Sequence, residues 1–354
     1  MAITYHAGRR IQGTAADRAE VPAISGGWKE LARTTLGSNN ANINVSSIPD
    51  KRYYMILSDL DLTAVSTGGG ARLGNSTVDT GSNYAMRYSV FGGADTTSTS
   101  TDKFLITGGS SPDPELNVTY IANKSDKEKL IISHRGYGIP GASNPPKRFE
   151  FASKWVNTSN PLDIVNFYQG GSDQYASGSE VVVLGYDPDD THTDNFWEQL
   201  ADVTLSSTGD NLSSGTISAK KYLWIQTYIS DTGGQDSVNM TFNNDTGNNY
   251  AFRRNNNGGT DATTTSTSHI TLHSSEVTED LFSNVFIINN SSNEKFVIGH
   301  TIQNQTLGAG TAPIRKEFVG KWANTSSQIT EIDLDNNSTG SYDTNSIMKI
   351  WGAN

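Results

Sequence analysis

Short apolar runs separated by polar turn residues make up most of the chain. Tyr, Ile, Val, Leu and Thr are concentrated in the runs, and Gly, Asn, Ser and Asp in the segments between them. No window sustains apolar residues at i, i+3, i+4 and i+7, the spacing of an amphipathic helix. The pattern therefore predicts an all-β protein, with strands in the first half at 52–57, 84–89, 118–123, 129–134, 147–155 and 181–185.

Residues 250–254 illustrate the two-residue period of a strand, since alternate side chains there fall on opposite faces. Asn257-Gly258 follows this segment, and both residues tolerate a positive φ angle. The pair therefore predicts a tight hairpin turn. The first half of the chain has Phe91-Gly92-Gly93 at the matching place.

One sequence pattern occurs twice in the chain. Residues 28–31 match 197–200 at an offset of 169, residues 79–87 match 245–253 at 166, and residues 154–159 match 321–326 at 167. The matches continue to the end of the chain. We therefore predict an N-terminal arm at 1–26, a first repeat at 27–185, a polar linker at 186–195 and a second repeat at 196–354.

Each repeat carries about seven to nine predicted strands spaced by turn residues. A single open sheet would leave its apolar face uncovered, so two sheets packed face to face are expected. The predicted fold is two tandem jelly-roll-like β-sandwich domains.

Composition excludes several classes of function. The chain has no cysteine, which rules out disulfides and thiol chemistry. Its net charge is -11 and its 26 Lys and Arg residues are scattered, which argues against binding to nucleic acid. The longest apolar runs are too short to span a bilayer, and the N-terminus lacks an apolar signal region, so we expect no membrane insertion.

Two carboxylate pairs recur, Asp79 with Glu150 and Asp245 with Glu317. Paired carboxylates can hydrolyse glycosidic bonds. However, an Asp in Asp-Thr-Gly more often caps a turn, and Arg148-x-Glu150 places opposite charges on one strand face. No nucleophile, base and orienting group occur in a recognisable spacing, so we expect no enzymatic activity.

Histidines and acidic loops were the candidates for metal binding. His134 and His300 occupy equivalent places in the two repeats, where a lone strand histidine is more often structural. His269 and His273 would lie about 13 Å apart along a strand, too far for one ion. The acidic stretch 187–190 offers oxygens to Ca²⁺ but is more typical of a solvated linker. We therefore expect no metal ion and no cofactor.

Two tryptophans, Trp155 and Trp322, each lie in a Lys-Trp-x-Asn-Thr-Ser segment. Exposed rings would stack on a sugar, whereas buried rings, which are commoner in sandwiches, would belong to the core. Together with Asp79 and Asp245 they are the candidate ligand-binding residues.

Segments 245–251, 258–259, 289–295, 313–317 and 321–326 resemble repeats in structural proteins of marine tailed viruses of bacteria and archaea. Residues 2–13 also resemble the start of such proteins. The resemblance covers most of the chain. It implies a virion component, assembled in the host cytoplasm, such as a tail fibre, head decoration or capsid-associated protein, and it supplies no catalytic residues.

The preferred hypothesis is a virion structural protein that forms a homo-oligomer, a trimer or another closed ring, because closed symmetry covers edge strands and patches. Its N-terminal arm would contact other virion proteins, and its loops would face outward, toward a host surface glycan. Two alternatives remain open. One is a carbohydrate-binding or receptor-binding adhesion module, and the other is a double jelly-roll capsid protein.

Overall fold

The protein is built from β-strands and turns. The computed structural model describes residues 24–25, 27–64, 68–105, 113–171, 173–188, 191–192, 194–230, 237–274, 280–304 and 309–354. Every described element is a strand, which confirms the prediction of an all-β sandwich protein. The described residues contain no helix long and apolar enough to cross a membrane. Residues 1–23 of the predicted N-terminal arm lie outside the described part.

The first sandwich has one large and one small antiparallel sheet. The strands of the first half and the linker are β1 (Ile24–Ser25), β2 (Lys29–Thr35), β3 (Asn42–Val45), β4 (Tyr53–Leu60), β5 (Gly70–Asn75), β6 (Thr77–Val78), β7 (Tyr84–Val90), β8 (Thr96–Thr101), β9 (Glu115–Ala122), β10 (Lys129–Tyr137), β11 (Lys147–Trp155), β12 (Ile164–Tyr168), β13 (Glu180–Tyr186) and β14 (Thr191–His192). The eight-stranded sheet has the order β2-β13-β4-β9-β10-β11-β7-β8, and the four-stranded sheet has the order β3-β12-β5-β6. Among the described strands, β1 pairs with β14 alone, which ties the chain ahead of the first sandwich to the linker.

The second sandwich repeats this arrangement. Its strands are β15 (Glu198–Thr204), β16 (Asn211–Ser213), β17 (Tyr222–Ile229), β18 (Val238–Phe242), β19 (Tyr250–Asn256), β20 (Ala262–Thr267), β21 (Ile270–His273), β22 (Leu281–Ile288), β23 (Lys295–Gln303), β24 (Ile314–Trp322), β25 (Ile332–Asp335) and β26 (Ile347–Ala353). The large sheet has the order β15-β26-β17-β22-β23-β24-β19-β20, and the small sheet has the order β16-β25-β18-β21.

All six strands predicted for the first half are present, and β11 has the predicted bounds. The expected seven to nine strands per repeat is too low, because each sandwich combines an eight-stranded and a four-stranded sheet. The additional strands include β5 and β8, which are rich in Gly, Ser and Thr. They carry too few large apolar side chains to show the alternation that sequence patterns detect.

The core of each sandwich lies between its large and small sheets. In the first sandwich it includes Ile43, Leu73, Ile121 and Phe167, and in the second it is built from equivalent positions. Burying one such side chain contributes about 1.5–3 kcal/mol. Each repeat therefore has its own apolar core, in a chain that contains no cysteine.

The predicted hairpin turn between β19 and β20 is confirmed. Asn257 and Gly258 have φ angles of 52° and 77°, as a primed two-residue turn requires. Phe91 and Gly92 form the same turn in the first repeat, with φ angles of 55° and 67°. The two hairpins are therefore alike even though the first carries a phenylalanine at a left-handed position.

The two sandwiches pack against each other through the outer faces of their large sheets. A third apolar cluster, which we call the seam, fills this contact. Its buried members are Met55, Leu57, Leu116, Val118, Val182, Leu184, Trp197, Tyr222, Phe286, Ile288, Phe296, Ile298, Val319 and Ala353. Each large sheet is thus covered on its inner face by its own small sheet and on part of its outer face by the other repeat.

Candidate functional site

The four sequence-predicted ligand residues form one Asp–Trp clip in each repeat, in which the tryptophan is buried and the aspartate is partly exposed. Trp155 Nε1 donates a hydrogen bond of 2.7 Å to Asp79 Oδ2, and Trp322 Nε1 donates one of 2.7 Å to Asp245 Oδ2. Both indole rings are 1% exposed. A ring enclosed in this way offers no face to a sugar. Trp155 and Trp322 therefore belong to the sandwich cores, the commoner of the two alternatives, and their assignment as candidate ligand residues is corrected.

Asp79 and Asp245 also cap the turns in which they lie. Asp79 accepts a hydrogen bond of 2.9 Å from the backbone N–H of Gly81, and Asn83 donates to the same carboxylate. Burial acts to raise the pKa of Asp79, but the hydrogen bonds from Trp155, Gly81 and Asn83 outweigh it and lower the pKa. The turn-capping interpretation of Asp-Thr-Gly is thereby confirmed.

The suspected Asp79–Glu150 dyad does not form. Trp155, which binds Asp79, points into the core, whereas Glu150 lies five positions earlier on β11 and therefore on the outer face of the sheet. The same alternation separates Asp245 from Glu317. Each pair is divided by the sheet itself.

A different carboxyl pair meets at the seam. Glu150 and Glu317 line the same small cavity, of about 10 Å³, together with His134 and His300. A space of this size admits about one water molecule and excludes a sugar ring. The convergence of these carboxyl groups therefore gives no cleft for glycoside hydrolysis.

Polar contacts fix one end of the seam. Lys221 forms ion pairs of 3.0 Å with Asp59 and 3.1 Å with Glu180, and Tyr222 donates a hydrogen bond of 2.8 Å to Glu180. Burial acts to raise the pKa of Glu180, but the hydrogen bond from Thr35 and the charge of Lys221 lower it overall. These contacts join the start of β17 in the second repeat to the end of β4 in the first.

The seam joins different ends of the two large sheets, so equivalent residues reach different environments. In the second repeat, the apolar side chains on the outer face near the start of β17 are buried in the seam; they include Tyr222, Phe286 and Phe296. Their equivalents in the first repeat line an open apolar cleft of about 500 Å³. We call this set the aromatic patch; its members are Trp28, Tyr53, Tyr120, Leu130, Ile132 and Tyr186.

Exposure within the aromatic patch is high for apolar side chains. Tyr53 is 41% exposed, Leu130 59% and Ile132 55%. The register places Tyr53 beside Ala122 on β9, and Ala122 beside Leu130 on β10, so the side chains form one continuous surface. Trp28 and Tyr186 extend it, with ring centroids 5.9 Å apart.

A second exposed apolar set lies on the outer face of the second repeat, at the end opposite its buried cluster. We call it the distal patch; its members are Tyr228, Phe282 and Ile302. The equivalent positions in the first repeat, Asp59, Leu116 and Gly136, are buried by the second repeat.

Sequence reasoning missed both patches. Tyr53 and Ile132 have the same strand pattern as their buried equivalents, so periodicity alone gives no sign of their exposure. It also missed that His134 and His300 meet, because 166 residues separate them. His269 and His273 belong to no group of three potential metal ligands among the described residues. Part of the acidic stretch 187–190 lies outside the described residues.

Comparison with known proteins identifies no family. No family model and no curated protein matches this chain. Among solved structures, the mouse laminin alpha1 chain, domains LG4-5, is similar at 9% identity with a TM-score of 0.18, covering 93% of this chain and 92% of that one. A structure titled "Crystal structure of HCR/D-Sa-GBL1/C" is similar at 9% identity with a TM-score of 0.21, covering 93% and 90%. Scores this low carry no argument about function.

Proposed function

We propose that this protein is a non-enzymatic structural component of a virus particle that assembles with further copies of itself through the aromatic patch. One observation carries the self-assembly part of the proposal. Positions that are buried in the seam of the second repeat, such as Phe296 and Ile298, have exposed equivalents, Leu130 and Ile132, in the first. The place within a particle rests on the sequence resemblance.

The aromatic patch is the kind of surface that a partner covers. Contiguous exposed apolar groups are uncommon on proteins that act alone, and they mark sites of association. Burying one side chain such as Leu130 contributes about 1.5–3 kcal/mol. Several such side chains together can offset the entropy lost when two chains associate.

The partner of the aromatic patch is the distal patch of a second copy. Within one chain, the cluster around Tyr222 packs on the opposite end of the other sheet, near Asp59 and Glu180. Tyr53 is the equivalent of Tyr222 in the first repeat. The aromatic patch around Tyr53 should therefore fit the end of a large sheet that corresponds to the one carrying Asp59. In the first repeat this end is already buried by the second repeat, whereas in the second repeat it is exposed as the distal patch.

A contact between two different patches is heterologous. Such contacts produce a closed ring when the rotation between copies closes, and a filament when it does not. The expectation of a trimer or another cyclic assembly agrees with this geometry. The proposal needs no catalytic residues, in accordance with the sequence-based expectation of no enzymatic activity.

Light scattering on the full chain tests the proposal. The expected result is a mass corresponding to a closed oligomer. The double variant Leu130→Ser/Ile132→Ser should dissociate it, because both changes remove apolar surface from the aromatic patch. Ile139→Ser is the matched control: Ile139 is 46% exposed but lies in the loop between β10 and β11, away from the patch. A monomeric wild-type protein at micromolar concentration would overturn self-assembly.

Glycan binding is the second candidate function, and one observation favours it. The rings of Trp28, Tyr53 and Tyr186 adjoin a polar cleft of about 240 Å³ whose lining includes Arg52 and Asp187. Exposed rings beside hydrogen-bonding groups are typical of sugar sites. Calorimetric titration with a panel of neutral and acidic monosaccharides tests it: heat that disappears in Tyr53→Ala would support a sugar site here, and no heat from any sugar would remove this candidate.

A further inference from the structure

The two repeats bring equivalent residues to one point at the centre of the seam. On β10 and β11, His134 lies directly opposite Glu150. On β23 and β24, His300 lies directly opposite Glu317. The sheets face each other so that both pairs line the same cavity. Each repeat thus contributes one imidazole and one carboxyl group.

The geometry of this cluster is compact. The imidazole rings of His134 and His300 are tilted by 71° with centroids 4.5 Å apart. One potential ligand atom from each of His134, Glu150 and His300 lies within 4.8 Å of the other two. Among the described residues, no hydrogen bond involves a ring nitrogen of either histidine.

The surroundings of the two imidazoles favour their neutral form. Burial lowers the pKa of His134 to about 3, with a further contribution from His300, and burial also lowers the pKa of His300. Burial therefore favours the neutral form of both rings, which carries a nitrogen lone pair. Neutral imidazole is the form that coordinates transition metals.

The carboxyl groups at the seam outnumber the arginine that they share. Arg148 contacts both Glu150 and Glu317, at 3.1 Å from the latter, but it also forms an ion pair of 2.7 Å with Asp261. Two carboxylates that converge in a partly buried site repel each other unless a proton or a cation lies between them. Arg315 also pairs with Glu317, at 3.4 Å. A divalent cation would add to the charge of these two arginines and bind the imidazoles at the same time.

We propose that His134, His300 and Glu150 bind one divalent transition-metal ion between the repeats, with Glu317 or a water molecule as the fourth ligand. Two nitrogens and carboxylate oxygen suit Zn²⁺, which favours four ligands at about 2.0–2.2 Å in a tetrahedron. Ligand atoms in such a tetrahedron lie about 3.3 Å apart, so the present separations of up to 4.8 Å would shorten when the ion binds. Because the ligands come from both repeats, the ion would join the two sandwiches.

This site goes beyond the proposed function, since self-assembly through the aromatic patch does not require it. Its effect would be on the chain itself. An ion that binds only the docked arrangement of the two repeats stabilises that arrangement by mass action. We expect the metal to raise the unfolding temperature of the whole chain.

Titration of the chelator-treated full chain with Co²⁺ and Zn²⁺ tests the site. The expected result is one ion per chain. Bound Co²⁺ should show the visible absorption bands of four-coordinate cobalt, and these bands should disappear when Zn²⁺ displaces it. His134→Ala and His300→Ala should each weaken binding by at least about 100-fold and remove the rise in unfolding temperature. His269→Ala is the matched control, because His269 lies outside the cluster and should leave binding unchanged.

Two further measurements distinguish loss of metal binding from loss of the fold. The unfolding temperature without metal is measured for every variant, and Glu150→Gln, which keeps the shape of the side chain, provides a second ligand variant in case an alanine variant does not fold. Absence of stoichiometric binding to the wild-type chain would overturn the proposal, with a shared proton then neutralising the carboxyl pair. Unchanged binding by a folded His134→Ala/His300→Ala chain would overturn it equally.

Discussion

The outer faces of the two large sheets have nearly the same strand pattern but different surroundings. Ile298 in the second repeat is 3% exposed, whereas its equivalent in the first repeat, Ile132, is 55% exposed. The difference arises because the seam joins the start of β17 to the end of β4 rather than joining like ends. A repeated sequence thus produces one buried surface and one free surface.

The contacts inside each sandwich are the same in the two repeats. The Asp–Trp clip, with its hydrogen bond of 2.7 Å, is the same in both copies, and so is the turn that the Asp caps. Features that stabilise each sandwich internally are duplicated. Features that depend on contact with the neighbouring repeat differ between the two copies.

The largest expected effect is in the duplicated core. Trp155→Ala and Trp322→Ala should each destabilise their repeat by about 3–5 kcal/mol, because each removes a buried ring and leaves a cavity. Denaturant unfolding measures both. Similar losses are expected, since the clips are alike. If one tryptophan proved to be tolerated, the claim that the two cores are equivalent would be contradicted.

The next effect separates the two repeats. Ile298→Ala should cost about 2–5 kcal/mol because the side chain is buried in the seam, whereas Ile132→Ala should change the stability of the dilute chain by less than about 1 kcal/mol. Ile132→Ala should instead weaken association. Unfolding curves at low protein concentration, combined with mass measurements, distinguish these effects. Equal destabilisation by the two changes would contradict the exposure of Ile132.

A smaller effect is expected at the polar end of the seam. Lys221→Met leaves Asp59 and Glu180 without their shared cation, and we expect a loss of about 1–3 kcal/mol, discounted because the lysine is partly exposed. Arg52→Met, at the equivalent position of the first repeat, is the control and should change stability by less than about 0.5 kcal/mol. Denaturant midpoints of the two variants give the comparison directly.

The smallest effect is the acid dependence of the clips. Because the pKa values of Asp79 and Asp245 are lowered in the folded protein, their contribution is complete above the unfolded carboxyl pKa of about 4. It is lost as the pH falls through the lower folded values. The double variant Asp79→Asn/Asp245→Asn should therefore show a shallower loss of stability between pH 4 and pH 2. Parallel curves for the variant and the wild type would contradict this role.

Sequence patterns predicted the strands and the repeat because these depend on neighbours along the chain. β11 was predicted with its bounds, and the Asn257-Gly258 turn follows from the conformational freedom of its two residues. The role of Trp155 remained open, since the same ring suits a core or a sugar platform. Only the packing of one repeat on the other decides which equivalent residues are buried, and no local pattern records that packing.

Cysteine cross-linking tests the contact between the aromatic patch and the distal patch most directly, because the chain has no cysteine of its own. Leu130→Cys places a thiol in the aromatic patch and Phe282→Cys places one in the distal patch. When the two variants are mixed under mild oxidation, we expect a disulfide-linked dimer containing one chain of each kind. Failure of the mixture to cross-link, or cross-linking of the Leu130→Cys chain mainly with itself, would contradict a heterologous contact between these two patches.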